Sequence, residues 1–135
     1  MSPRPLSATV WTSPQLSPDA MPQLAAAGIS RIVSNRPDGE DPGQPPASVM
    51  EAVARDAGLD FVWIPVSGLP RPDQVAAAAD LLADATPTVM FCRSGTRSAA
   101  LWAMAESSRG ADSAALREAA ANAGYDLSRV PLQDD

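Results

Sequence analysis

The sequence predicts an α/β domain of three layers, a mostly parallel sheet of four or five strands flanked by helices. Two observations carry this expectation. Short runs rich in Val, Ile, Phe and Trp alternate along the chain with longer Ala-rich segments of helical length. The short runs are apolar at successive positions rather than at every second one, as strands covered on both faces are. Strand–helix–strand alternation leads to parallel pairing, and sites on such sheets lie at the C-terminal strand edge.

The elements follow in order. Thr9 to Thr12 reads as a first strand. Ser17 is placed to cap a helix with Pro18 at its first position, running to about Ala27 and stopped by Gly28. Ile29 to Ser34 is a second strand. Asn35 to Pro46 holds four Pro, two Gly and three acids, so it is a loop, and a long ordered loop is more often functional than a short one. A helix from Ala47 to Ala57 ends at Gly58, and Leu59 to Val66 reads as a third buried strand. Pro72 opens an Ala-rich helix to about Ala85, and Thr88 to Phe91 is the fourth strand. Arg97 to Ser108 is the next helix, and Asp112 caps a last one that ends near Gly124. Residues 1–125 thus form one domain and 126–135 a loosely held C-terminal tail. Trp11, Trp63 and Trp102 stand in apolar surroundings and read as core.

Composition removes several chemistries. At 135 residues the chain suits one domain with a real core. There is no histidine, which excludes a Cys–His pair, a Ser-His-Asp triad and His-ligated zinc. All ten basic residues are arginine, which excludes a lysine Schiff base and a Walker-type lysine. A GC-rich coding composition also produces arginine-only usage, but it does not explain where Arg93 and Arg97 fall. With one cysteine and no histidine no metal site is expected, and no organic cofactor motif is present. A net charge of −6 argues against nucleic acid as a partner. No segment is apolar and long enough to span a bilayer and no secretory signal opens the chain, so a cytoplasmic location with no membrane partner is expected. The lone cysteine fits a reducing compartment. Oligomeric state is not legible.

The chemistry concentrates in Cys92-Arg93-Ser94-Gly95-Thr96-Arg97-Ser98, directly after Val89-Met90-Phe91. The cysteine stands where a buried strand ends and a helix begins. Backbone N–H groups of a tight loop, a helix N-terminus and nearby guanidinium groups all stabilise a thiolate and bind an oxyanion. A buried structural cysteine is the common reading of a lone Cys, but Arg, Ser, Gly and Thr are poor neighbours for a core thiol. A small anionic substrate is expected, either a phosphate ester or a thiosulfate or persulfide sulfur donor.

Four segments in order carry a family resemblance: Val10-Trp11-Thr12-Ser13-Pro14-Gln15-Leu16, the loop Asn35 to Pro45, Trp63-Ile64-Pro65-Val66 and the Cys92 loop. Over about residues 6 to 108 the chain resembles the beta-lactamase-hydrolase-like, phosphatase-like domain family. That resemblance implies a cysteine-phosphatase-like fold and a family whose members have been called both phosphatases and sulfurtransferases. Carried over by position, it implies Cys92 as nucleophile and Arg97 as the guanidinium gripping two oxygens of the anion. It further implies Arg93, Ser94, Gly95 and Thr96 as the substrate cradle, and Ser98 as a donor to the sulfur.

Phosphoryl transfer to water leads as the expected reaction, through a cysteinyl-phosphate; rhodanese-like sulfur transfer through a Cys92 persulfide is the alternative. An inactive anion- or partner-binding module is the third reading. Four residues separate Cys92 from Arg97 rather than the five usual in phosphatases, Phe91 stands where a histidine is usual, and no carboxylate lies near Ser67. A poor leaving group needs a proton, and a positioned acid contributes about 10²–10⁴-fold. Asp38, Glu40, Asp41 and Asp73 are the candidates. Asp38 is preferred as the catalytic acid because its loop leaves the second strand at the same sheet edge. Asn35 and Arg36 read as ties between that loop and the sheet.

Overall fold

The computed structural model describes residues 3–133. The strands are β1 (Arg4–Pro5), β2 (Val10–Ser13), β3 (Arg31–Ser34), β4 (Asp60–Trp63) and β5 (Thr88–Phe91). The helices are α1 (Met21–Ala26), preceded by a 3₁₀ turn at Pro18–Ala20, α2 (Ala47–Asp56), α3 (Pro72–Leu82), α4 (Thr96–Ser108) and α5 (Ser113–Asn122). Five strands form one sheet in the order β1-β2-β5-β3-β4, antiparallel only at β1. Caps fall where the sequence places them: Ser17 Oγ accepts the Asp19 N–H at 3.2 Å, and the Asp112 carboxylate accepts the Ala115 N–H at 2.9 Å.

β5 lies in the middle of the sheet, between β2 and β3, and all four of its residues are buried. Its side chains alternate between two cores, as strand geometry requires. Val89 and Phe91 join Ile32, Phe61, Met21, Leu24 and Met50 beneath α1 and α2. Met90 joins Val33, Ala78, Leu101 and Leu116 beneath α3, α4 and α5. Full burial of such a side chain contributes about 1.5–3 kcal/mol, so β5 is held firmly from both faces. The residue that follows it is therefore fixed in space.

Two expectations need correction. β4 is an edge strand, and Asp60 and Trp63 on it are exposed, Trp63 at 44%. Four apolar letters in a row do not distinguish a central strand from an edge strand. Trp63 is not core; its indole N–H donates to Arg36 O at 2.9 Å. The segment after α5 is also not loosely held over its described part. Leu127 and Leu132 are buried in the α3–α5 core, and Arg117 donates to the carbonyls of Leu127 and Val130. Sparse apolar residues concealed this docking, because each Leu stands alone among polar neighbours. Among the described residues no helix is long and apolar enough to cross a membrane.

Candidate active site

Cys92 leaves the C-terminal end of β5 and is completely buried. The next residues turn back toward α4 through Gly95, whose φ of +95° is the left-handed conformation that glycine adopts at least cost. That turn aims the Gly95 N–H at Cys92 Sγ, 3.0 Å away. Two ties hold the turn. Thr12 Oγ1, from β2, donates to Gly95 O at 3.0 Å, and Tyr125 Oη, from beyond α5, donates to Ser94 O at 3.2 Å. Ser94 Oγ donates to Thr96 Oγ1 at 3.1 Å, and the Gln15 N–H donates to Arg93 O at 3.3 Å.

Arg97, in the first turn of α4, is held end-on. Its Nη1 donates to Glu40 Oε2 at 2.7 Å and to Val66 O at 2.7 Å, and its Nη2 donates to Glu40 Oε1 at 2.8 Å. A guanidinium has five N–H donors. Three are engaged by Glu40 and Val66, which leaves Nε–H and the second Nη2–H as a side edge, with the Cys92 sulfur within hydrogen-bonding reach of the guanidinium. The guanidinium is held above its ordinary value, chiefly by the Glu40 hydrogen bonds and against burial, with the neighbouring Cys92 sulfur adding to the effect.

Glu40 is itself positioned by design of its loop. Arg36, buried, donates from Nε to Glu40 Oε1 at 3.0 Å, from Nη1 to Gln15 Oε1 at 3.0 Å and from Nη2 to Asp41 Oδ2 at 2.5 Å. Gln44 Oε1 accepts the N–H groups of Glu40 and Asp41, and its amide donates to Pro37 O at 2.7 Å. Arg93 pairs with Asp41 at 3.2 Å. The Arg97 hydrogen bonds hold the Glu40 carboxyl below its usual range, burial opposing and Arg36 assisting. A lowered carboxyl contributes stability above its unfolded value and loses it as pH falls through the folded one. Glu40 is therefore ionised at neutral pH and serves as an acceptor.

The structure brings together Cys92, Arg93, Ser94, Gly95, Thr96 and Arg97, and separates two expected members. Asp38 is exposed, and its Oδ1 accepts the Ala47 N–H at 2.8 Å, at the start of α2. Its carboxylate is used on a helix terminus, where a first-turn donor needs a partner and the dipole favours an anion. Ser98 is buried, but its Oγ donates to Asn35 Oδ1 at 2.7 Å rather than to the sulfur. Asn35 completes the tie by donating to Ile64 O at 3.0 Å. Asp73 pairs with Arg71 at 3.0 Å, outside this cluster.

Asp38→Asn keeps an Oδ1 acceptor for the Ala47 N–H and is thus expected to cost only about 0.3–1 kcal/mol of stability, the charge's share at the helix terminus. It is expected to leave turnover of alkyl and aryl phosphates in unchanged ratio, measured by urea unfolding and steady-state assays. A selective loss on the alkyl ester would restore Asp38 as the acid.

The residues that sequence reasoning missed are Thr12, Gln15, Gln44 and Tyr125, and for Glu40 it missed the role. Thr12, Gln15, Tyr125 and the Glu40–Arg97 pair act across long sequence separations, whereas Gln44 acts within its own loop, and no spacing in the chain signals any of them.

The sequence model of the family described as beta-lactamase hydrolase-like protein, phosphatase-like domain, matches residues 3–109. A beta-lactamase hydrolase-like protein of Agrobacterium fabrum is 38% identical over 87 residues, covering 63% of this chain and 20% of the relative. The chain thus spans about a fifth of that relative's length. Among solved structures, one from Neisseria meningitidis, named provisionally as a phosphatase, is 28% identical with a TM-score of 0.79, covering 93% of this chain and 90% of that one. A substituted TpbA of P. aeruginosa in complex with phosphotyrosine shares the fold at 20% identity and a TM-score of 0.64, covering 90% of this chain and 73% of that one. With the family model spanning most of the domain and the cysteine loop at the centre of the sheet, this chain belongs to the phosphatase-like domain family of beta-lactamase hydrolase-like proteins.

Proposed function

We propose that this domain hydrolyses phosphate monoesters through a cysteinyl-phosphate on Cys92. The observation that carries the reading is the pairing of one sulfur, engaged by the Gly95 N–H, with a neighbouring Arg97 guanidinium whose Nε–Nη2 edge is not used by Glu40 or Val66. Such an edge matches two oxygens of a phosphate, a geometry that lysine lacks. The backbone N–H groups of Arg93 and Ser94 have no protein acceptor among the described residues, which suits the same anion. The Cys92 thiolate attacks phosphorus, the bond to the ester oxygen breaks, and the oxygen leaves as an anion that takes its proton from water. Water then attacks the phosphorus, releasing inorganic phosphate and regenerating the thiolate. The relatives' family description supports the same class.

The carboxylates set the substrate preference. Glu40 is ionised against two arginines, Asp41 is tied to Arg36 and Arg93, and Asp38 serves α2. None is free to protonate a leaving oxygen. Aryl phosphates, whose phenolate leaves without a proton, are the favoured class, and the phosphotyrosine bound by TpbA is an ester of that class. The test is a comparison of p-nitrophenyl phosphate with an alkyl phosphate. The expected kcat/KM ratio favours the aryl ester by at least about 10²-fold, the size of the missing acid contribution. Comparable rates on both esters would contradict the absence of an acid.

A second reading has one specific observation behind it. Only four residues separate Cys92 from Arg97, and persulfide chemistry needs no acid. In that reaction the thiolate takes the outer sulfur of thiosulfate and releases sulfite.

A further inference from the structure

Tyr125 lies beyond the residues that the family model matches, on the segment after α5, yet it touches the cysteine loop. We infer that Tyr125 is a positioning residue that sets the direction and strength of the hydrogen bond on Cys92 through a single peptide unit. The carbonyl it donates to, Ser94 O, and the N–H that donates to Cys92 Sγ, that of Gly95, belong to the same peptide group. That group is planar, with its C=O and N–H pointing in opposite directions. Fixing the oxygen on Tyr125 Oη therefore fixes the line along which the N–H points at the sulfur. Donation to a carbonyl also polarises the amide and strengthens its N–H as a donor.

A second observation is independent of the hydrogen bond. A Cβ built at Gly95 would lie 2.2 Å from Tyr125 Oη and 2.8 Å from its Cζ, so the ring and the glycine are fitted to each other. The ring has little freedom to withdraw: Tyr125 is 8% exposed, and its neighbour Leu127 is buried in the same core. The hydroxyl, unlike the ring, adds nothing to that core, which separates its role from simple filling of space.

This inference rests on Cys92 as the reacting group, and its test reads the sulfur without ester turnover. Tyr125 is the only tyrosine in the chain, so growth on 3-fluorotyrosine changes this side chain alone and makes its hydroxyl a stronger donor. The full chain is labelled with nitrogen-15, and the Gly95 amide proton is followed in wild type, Tyr125→Phe and the fluorotyrosine protein. The expected shift is upfield in Tyr125→Phe, as the bond to sulfur weakens, and downfield with fluorotyrosine. Alkylation of Cys92 by iodoacetamide at fixed pH is expected to change at least about threefold in Tyr125→Phe. A residue that only fills space would not move the amide in opposite directions. A Gly95 amide unmoved in both proteins, with unchanged alkylation, overturns the inference and leaves the phosphatase reading standing. Opposite shifts in a protein that hydrolyses no phosphate ester uphold the inference and overturn the phosphatase reading. If Tyr125→Phe does not fold, the fluorotyrosine protein decides alone.

Discussion

Cys92→Ser is expected to lower hydrolysis of aryl phosphates by at least about 10³-fold while the protein stays folded, because a serine hydroxyl at this place has no base to activate it. The chain has no histidine, and the acids near the loop are committed to Arg36, Arg93, Arg97 and α2. Serine is close to cysteine in size, so the loop and its ties should persist. Binding of inorganic phosphate should therefore survive the substitution, read by calorimetry on the same preparation. Residual turnover above about a tenth of wild type would remove Cys92 from the role of nucleophile.

Gly95→Ala is the second large effect expected, and it joins stability to function. Alanine at a φ of +95° carries a backbone cost of about 1–2 kcal/mol. The new methyl also overlaps Tyr125 Oη, and overpacking of this kind typically costs about 1–3 kcal/mol. Because β5 and Tyr125 are both held by the core, the loop is the part that shifts, and its movement carries the Gly95 N–H away from the sulfur. The expected result is a loss of about 2–5 kcal/mol in urea unfolding together with at least about 10²-fold in kcat/KM, the size of losing one preorganised donor. Gly110→Ala is the control. Its φ is +98° but no atom lies within 4 Å of its Cβ position, so only the backbone cost and no loss of turnover is expected. Full activity in Gly95→Ala would contradict the fitted geometry.

The parts legible in the sequence are those set by local rules. Alternating apolar runs gave the strands, Ser17 and Asp112 the caps, and the strand–Cys–Gly–helix order the position of the sulfur. What escaped depends on contacts distant in the chain, or on which of several like side chains a loop turns inward. Trp63 reads like its buried neighbours, and only the strand order reveals that β4 is an edge. Asp38, Glu40 and Asp41 share one loop and one charge, so composition cannot say which faces Arg97. The choice is made by Gln44 and Arg36, which orient the loop, and by the start of α2, which takes Asp38. Ser98 follows Arg97 directly, but its hydroxyl is claimed by Asn35, 63 residues away. The contact between Tyr125 and the loop has no local signature at all.

The central claim is that phosphorus, rather than sulfur, becomes bonded to Cys92. Intact-mass spectrometry of protein quenched in acid during turnover tests it most directly, with p-nitrophenyl phosphate and thiosulfate offered in separate reactions. The account predicts an adduct of about 80 Da, one phosphoryl group, on Cys92 from the aryl ester and none in Cys92→Ser. An adduct of about 32 Da from thiosulfate, one sulfur atom as a persulfide, with no phosphoryl adduct and no phosphate release from the ester, would contradict it and assign the domain to sulfur transfer.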